Sequence, residues 1–202
     1  MRLTLHLILV SLVTLGFGCA SYKSTTLPIL QAEFAAYSAD QNGVTVSCKA
    51  FSQSESKRYL GRNVQAKGYQ PIQICIQNET KSYLLLSPQS LSIPLAPPED
   101  VARYVHTNTV GRALIYGVPG LIIWPLLVPA VADGVGSSQA NQKLDADYSS
   151  KGVNETVIQP YTTLNRVVFV PRSEWNGAFR LTLLDKETRG KMVYEVRLPA
   201  GS

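Results

Sequence analysis

The side chains with the widest chemical range in this sequence are three cysteines and two histidines. Their placement is poor for catalysis. His106 is the one histidine beyond the apolar N-terminal run, and a zinc site made from it with Cys48 and Cys75 would draw on three distant segments. None of the close ligand spacing of zinc sites is present. No nucleophile motif of the G-x-S-x-G kind brings Ser, His and Asp together. The acidic near-pairs Glu99-Asp100 and Asp145/Asp147 lack any second feature of a two-carboxylate site and read as solvated helix positions. The glycines between 111 and 136 sit in apolar sequence, without the Lys that completes a phosphate loop. The expectation is therefore no catalytic residue, no metal and no cofactor, and a chain that is not an enzyme.

Cys48 and Cys75 invite a disulfide if the chain is exported. Strand phase opposes an easy bridge. Cys48 shares a face with Val44 and Val46, whereas Cys75 shares the face of Gln73 and Gln77. In flat neighbouring strands the two thiols would point to opposite sides, so that a bridge needs a bulge or an edge. A disulfide and two separate thiols both remain open readings.

Cys19 has a different context. Residues 1–19 read MRLTLHLILVSLVTLGFGC: Arg2, an apolar run from Leu3 to Val13, then small residues and a cysteine. This is the order of a bacterial secretory signal, and the run is short for a spanning helix. Gly18-Cys19 is similar to the end of a lipobox, although Gly16 stands where that motif usually has Leu. The expectation is a signal peptide over 1–18 and lipidation of Cys19. Ordinary cleavage after small residues and an uncleaved anchor are the alternatives.

A second apolar segment, 113–132, has twenty consecutive uncharged residues, ALIYGVPGLIIWPLLVPAVA. As a helix it would cover ~30 Å, the thickness of a bilayer core. Gly117, Pro119, Gly120, Pro125 and Pro129 interrupt it, and each internal proline removes a backbone donor. A re-entrant or interfacial hairpin fits better than a straight span, with Tyr116 and Trp124 at headgroup level. The alternative is a hairpin buried against its own domain or a second copy.

Around this segment the chain alternates apolar and polar residues with period two. Strands are expected over 43–52, 71–78, 82–88, 91–95, 155–159, 166–171, 178–184 and 192–198, the last needing a bulge to put Val193 and Val196 on one face. Asn42-Gly43 and the charged stretch 185–190 read as turns. Helix is expected only beside the apolar segment. One helix covers 98–106, with Val101, Tyr104 and Val105 on one side. Another covers 137–151, with Ala140, Leu144 and Tyr148 in a stripe, Ser137 or Ser138 as its cap and Gly152 as its end. The fold class is mainly β: an antiparallel immunoglobulin-like β-sandwich interrupted by a helix–apolar hairpin–helix insertion. Its parts are a tether over 19–31, the sandwich over 32–97 and 153–202, and the insertion over 98–152.

Composition agrees. The charged fraction is 16%, below the ~25% usual for soluble domains, while 45% hydrophobic residues with a net charge of +5 exclude a mainly disordered chain. Lys57, Arg58, Arg62 and Lys67, interleaved with Tyr59 and Tyr69, form a mild basic stretch. Behind an export signal it reads as a solvated loop or a contact to anionic lipid or peptidoglycan, not as a nucleic-acid site. The sequons at Asn78 and Asn154 matter only in a eukaryotic host.

The order of parts resembles uncharacterised bacterial envelope lipoproteins with an immunoglobulin-like domain. The resemblance lies in Cys19, GYQPIQICIQN at 68–78, the AN–L–DY–K pattern at 140–151 and VVFVP at 167–171. It implies a non-enzymatic, lipid-anchored protein of the bacterial cell envelope with a structural or adaptor role, and it brings no catalytic residue. Expected partners are membrane lipid and an envelope protein or further copies of the chain, with the loop 52–67 and the edge strands as contact surface. Ala20 lacks the Asp similar to an inner-membrane retention signal, which favours the outer membrane. The alternative function is self-assembly or pore formation through 113–132, packed at Gly111, Gly117 and Gly120. An envelope enzyme ranks last.

Overall fold

Tight turns and period-two patterning build eight strands, seen in a computed structural model that describes residues 22–106 and 127–199, the side chains of 127–137 excepted. The first hairpin shows the local logic. Asn42 and Gly43 both take positive φ, 55° and 82°, the backbone that a two-residue turn between twisted strands requires. They join β1 (Tyr37–Gln41) to β2 (Val44–Ala50). The remaining strands are β3 (Tyr69–Asn78), β4 (Leu84–Leu86), β5 (Thr156–Ile158), β6 (Thr162–Pro171), β7 (Ala178–Asp185) and β8 (Lys191–Arg197).

The strands form two four-stranded sheets, ordered β1-β2-β3-β6 and β5-β4-β7-β8, with every neighbouring pair antiparallel. Ile72, Ile74 and Ile76 of β3 share one buried cluster with Leu181 and Leu183 of β7 and Tyr194 of β8, so the inner faces of both sheets contribute to a single core. Each such side chain contributes about 1.5–3 kcal/mol on full burial. The polar end of Tyr194 is accommodated there because its Oη donates to the Val44 carbonyl at 2.8 Å. Burial pushes its phenol well above the usual range, which keeps the donor protonated.

β3 is buried on its outer face too, where Gln73 and Cys75 are 2% and 1% exposed. On the same face of the sheet, Phe169 of β6 stacks on Tyr148 with ring centroids 5.5 Å apart and planes 2° from parallel. Tyr148 belongs to a long helix, α3 (Leu127–Lys151), which follows α1 (Gln53–Leu60) and α2 (Pro98–Tyr104). By contact density the chain divides into two compact units: 1–22 with 106–144, and 23–105 with 145–202. Both sheets lie in the second.

Several elements differ from the sequence reading. Segment 91–95 is not a strand. Leu91 bridges to Leu181 in one sheet and Ala96 to Phe169 in the other, so the stretch crosses between sheets and cannot pair continuously with either. The β8 register is straight, with Tyr194 and Val196 buried and Val193 40% exposed, and no bulge is needed. Helix is not confined to the neighbourhood of the apolar segment. The supposed loop 52–67 contains α1, opened by a capping box in which the Glu55 N–H donates to Ser52 Oγ at 3.2 Å and the Ser52 N–H to Glu55 Oε2 at 2.9 Å. Burial pushes the Glu55 carboxyl up, but the hydrogen bonds from Lys49 and Ser52 together outweigh it and hold the group below the usual carboxylate range.

α3 begins ten residues before its expected start, inside the stretch 113–132 read as a hairpin, and Ser137 and Ser138 lie within it instead of capping it. Pro129 permits this because it occupies the first turn, where its missing N–H has no helical carbonyl to lose. Val101 of α2 and Val105 at its end are buried as expected, whereas Tyr104 is 66% exposed and meets the Tyr69 ring edge-on.

α3 stops where Gly152 was expected to stop it. The Gly152 N–H donates to the Tyr148 carbonyl at 2.8 Å, and the residue bridges to Val167 of β6. A Cβ at this point would collide with the Pro98 ring at the start of α2. Gly152→Ala is expected to destabilise the protein by about 1–3 kcal/mol through overpacking, read as a lower urea midpoint. An unchanged midpoint would show that the two helix ends are not in tight contact.

Candidate functional site

Residues 23–30, read as part of the tether over 19–31, are bound to the domain. An extended segment must find partners for its backbone polar groups, and here most come from the outer face of the first sheet and from helix ends. Gln73 Nε2 of β3 donates to the Pro28 carbonyl at 2.7 Å, and Asn165 Nδ2 of β6 to the same oxygen at 2.8 Å. The two amides also bond each other, Nε2 of Gln73 to Oδ1 of Asn165 at 2.8 Å. The Thr25 N–H donates to the Arg58 carbonyl at 3.0 Å, in the last turn of α1. Leu30 is 6% exposed, and its backbone N–H lowers the Cys75 thiol against the rise that burial causes.

One ammonium ties this strap to both helices. Lys151, on the last turn of α3 and 8% exposed, places Nζ 2.7 Å from the Tyr59 carbonyl, 3.0 Å from the Thr25 carbonyl, 3.2 Å from Ser24 Oγ and 2.8 Å from Asp147 Oδ2. Ser24 Oγ in turn donates to that carboxylate oxygen at 3.0 Å. The arrangement solves two problems at once. The last carbonyls of a helix have no internal donors, and Lys151 supplies one to α1. A cation at the end of α3 also opposes the negative end of its own helix dipole. Asp147 is therefore an internal counter-ion, 21% exposed, and not the solvated helix position expected from sequence.

Beside this knot runs an open groove of about 540 Å³, lined by Ser24, Thr26, Ile29, Ser150, Thr163 and Arg166 among others. Its walls mix polar and apolar surface, and the Lys151 ammonium at its side is engaged by four acceptors. A fully bonded ammonium is a structural cation, not a base or a nucleophile.

The two cysteines of the domain are free thiols. Cys48 stands opposite Ile74, and Cys75 opposite Ser47, so they point to opposite faces of the sheet. Burial pushes both thiols up, Cys48 further through the neighbouring Cys75, while the Leu30 N–H partly offsets the rise at Cys75. Thiols held protonated are poor nucleophiles. His106 follows α2, and Glu99 and Asp100 occupy the first turn of that helix. Among the described residues no group of three or more His, Cys, Asp or Glu gathers as a metal site. No helix among them is long and apolar enough to cross a membrane. Cys19 and the segment residues Tyr116, Gly117, Pro119, Gly120, Trp124 and Pro125 lie outside the described residues.

Comparison with protein-family profiles, with curated proteins and with solved structures finds no match to this chain.

The strap and Lys151 were missed from sequence. The available signal was the Asp147–Lys151 pair at i,i+4 near a helix end. Lys151→Met should cost about 2–4 kcal/mol, because it leaves a largely buried carboxylate and two carbonyls without their cation. Asp147→Asn should cost less, since the ammonium keeps its other acceptors. Urea unfolding of the full chain checks both; a Lys151→Met loss under about 0.5 kcal/mol, the range of an ordinary surface substitution, would contradict the clamp.

Proposed function

We propose that this chain is a non-enzymatic lipoprotein of the bacterial cell envelope, anchored through Cys19, with an immunoglobulin-like sandwich that has a structural or adaptor role. The observation that carries the reading is the position of Cys19. It closes the apolar run of 1–18 behind small residues, and only a few residues later Ser24 is bonded to Asp147 and Lys151. Cleavage before Cys19 thus leaves every described residue in place. The short, bound connection suits a domain that works at a membrane surface and not one that reaches far from it. The outer membrane is the preferred location, since Ala20 follows the cysteine. The segment 113–132 serves as a second membrane contact or as the seat of an envelope protein partner. Two weak attachments together hold far better than one.

Self-assembly through 113–132 is the second reading, favoured by Gly111, Gly117 and Gly120, which would let helices approach closely in lipid. One experiment separates the two. The intact mass of the chain recovered from fractionated membranes should show a protein starting at an acylated Cys19. Cys19→Ala should abolish that mass, and deletion of 113–126, which spares α3, should leave it. An unmodified chain that leaves the membrane on that deletion would overturn lipid anchoring and support insertion through the apolar segment.

A further inference from the structure

We infer that the surface around the last turn of α1, with Lys23, Lys57 and Arg58, rests against the anionic headgroups of the membrane that holds Cys19. The inference builds on the anchoring proposed above and adds which face of the domain meets lipid. Its first element is reach. Ser24 is fixed in the domain by Asp147 and Lys151. Between Cys19 and Ser24 the chain can extend by at most ~3.3–3.6 Å per residue, so the anchored residue and the fixed one are within about 18 Å of each other. A domain on so short a leash cannot turn freely, and the surface nearest Ser24 is the one that meets the bilayer.

The second element is what that surface carries. Thr25 touches the Arg58 carbonyl through both its N–H and its hydroxyl, at 3.0 and 3.1 Å, so the strap enters the domain beside the end of α1. Lys23, Lys57 and Arg58 are all exposed there. Two neighbouring acids are already neutralised within the fold: Asp147 by Lys151 at 2.8 Å and Glu55 by Lys49 at 2.6 Å. The Arg58 guanidinium lies 5.5 Å from the centroid of the Tyr59 ring, a cation backed by an aromatic surface. Each Lys or Arg held near an anionic surface adds to the attraction, which falls off within a Debye length of ~8–10 Å. Three such cations on a tethered domain are enough to set its orientation, because the anchor has already met the cost of association.

The test is amine footprinting of the full-length acylated protein in vesicles of phosphatidylcholine alone or with about one-third phosphatidylglycerol, the phosphatidylglycerol arm supplying the surface charge the inference needs. Lys23 and Lys57 should label at least ~3-fold more slowly on the anionic vesicles, while Lys186, on the hairpin between β7 and β8, should label equally on both. High salt should remove the difference by screening. The exposed pair of changes Lys57→Gln and Arg58→Gln should restore the labelling of Lys23. An intact mass on the same sample keeps the two proposals apart. An acylated Cys19 with equal labelling on both vesicles overturns the docking face and leaves the anchor standing, whereas an unmodified Cys19 removes the anchor and the leash argument together.

Discussion

A buried ammonium must be matched by acceptors or it will not stay buried, and in this protein Lys151 meets that demand with groups from three separate stretches of chain. Tyr59 comes from the end of α1, Asp147 from one turn back on α3, and Ser24 and Thr25 from the strap. Each of those carbonyls gains from the cation as the cation gains from them. The outer layer over the first sheet therefore depends on a polar contact, while the two-sheet core beneath it depends on apolar burial. The core would survive many conservative exchanges of apolar residues; the knot would not survive loss of its one positive charge.

The strap changes what the central strand can be. β3 has isoleucines on its inner face and Gln73 and Cys75 on the other, a pattern that by itself describes a strand half exposed to water. In the structure both faces are covered, because the outer amides find the carbonyls of Pro28 and Leu27. Cys75 is shielded by the same segment, and that shielding keeps its thiol protonated and unreactive. What reads as a sequence of small structural details thus has one functional consequence. The chain near its expected anchor belongs to the domain, and the proposed membrane-facing surface follows from that attachment.

The strands were legible in the sequence where one face is apolar and the other polar, as in 71–78, 178–184 and the Asn42-Gly43 turn. They were illegible where another rule dominates. Segment 91–95 has strand-like residues but passes between sheets. β1 was not anticipated because Ala39 is the single aliphatic residue in YSADQ. α1 was hidden because its residues are mostly polar, although Ser52 and Glu55 spelled its capping box. The long α3 was cut short on paper by Pro129, a residue that is harmless in a first turn. Of the candidate site, Asp147 and Lys151 were visible as an i,i+4 pair, but no local pattern says that a Lys will be met by carbonyls from more than ninety residues away.

The claim on which this account rests is that residues 23–30 are part of the fold and not a free leash. Hydrogen exchange at the backbone amides of Thr25 and Leu30 reads it directly, since the Thr25 N–H donates to the Arg58 carbonyl and Leu30 is buried against the domain. The account predicts exchange slowed by on the order of 100-fold or more relative to an unstructured chain, as for amides that open only with their surroundings. Exchange of both amides at the free-chain rate would contradict it.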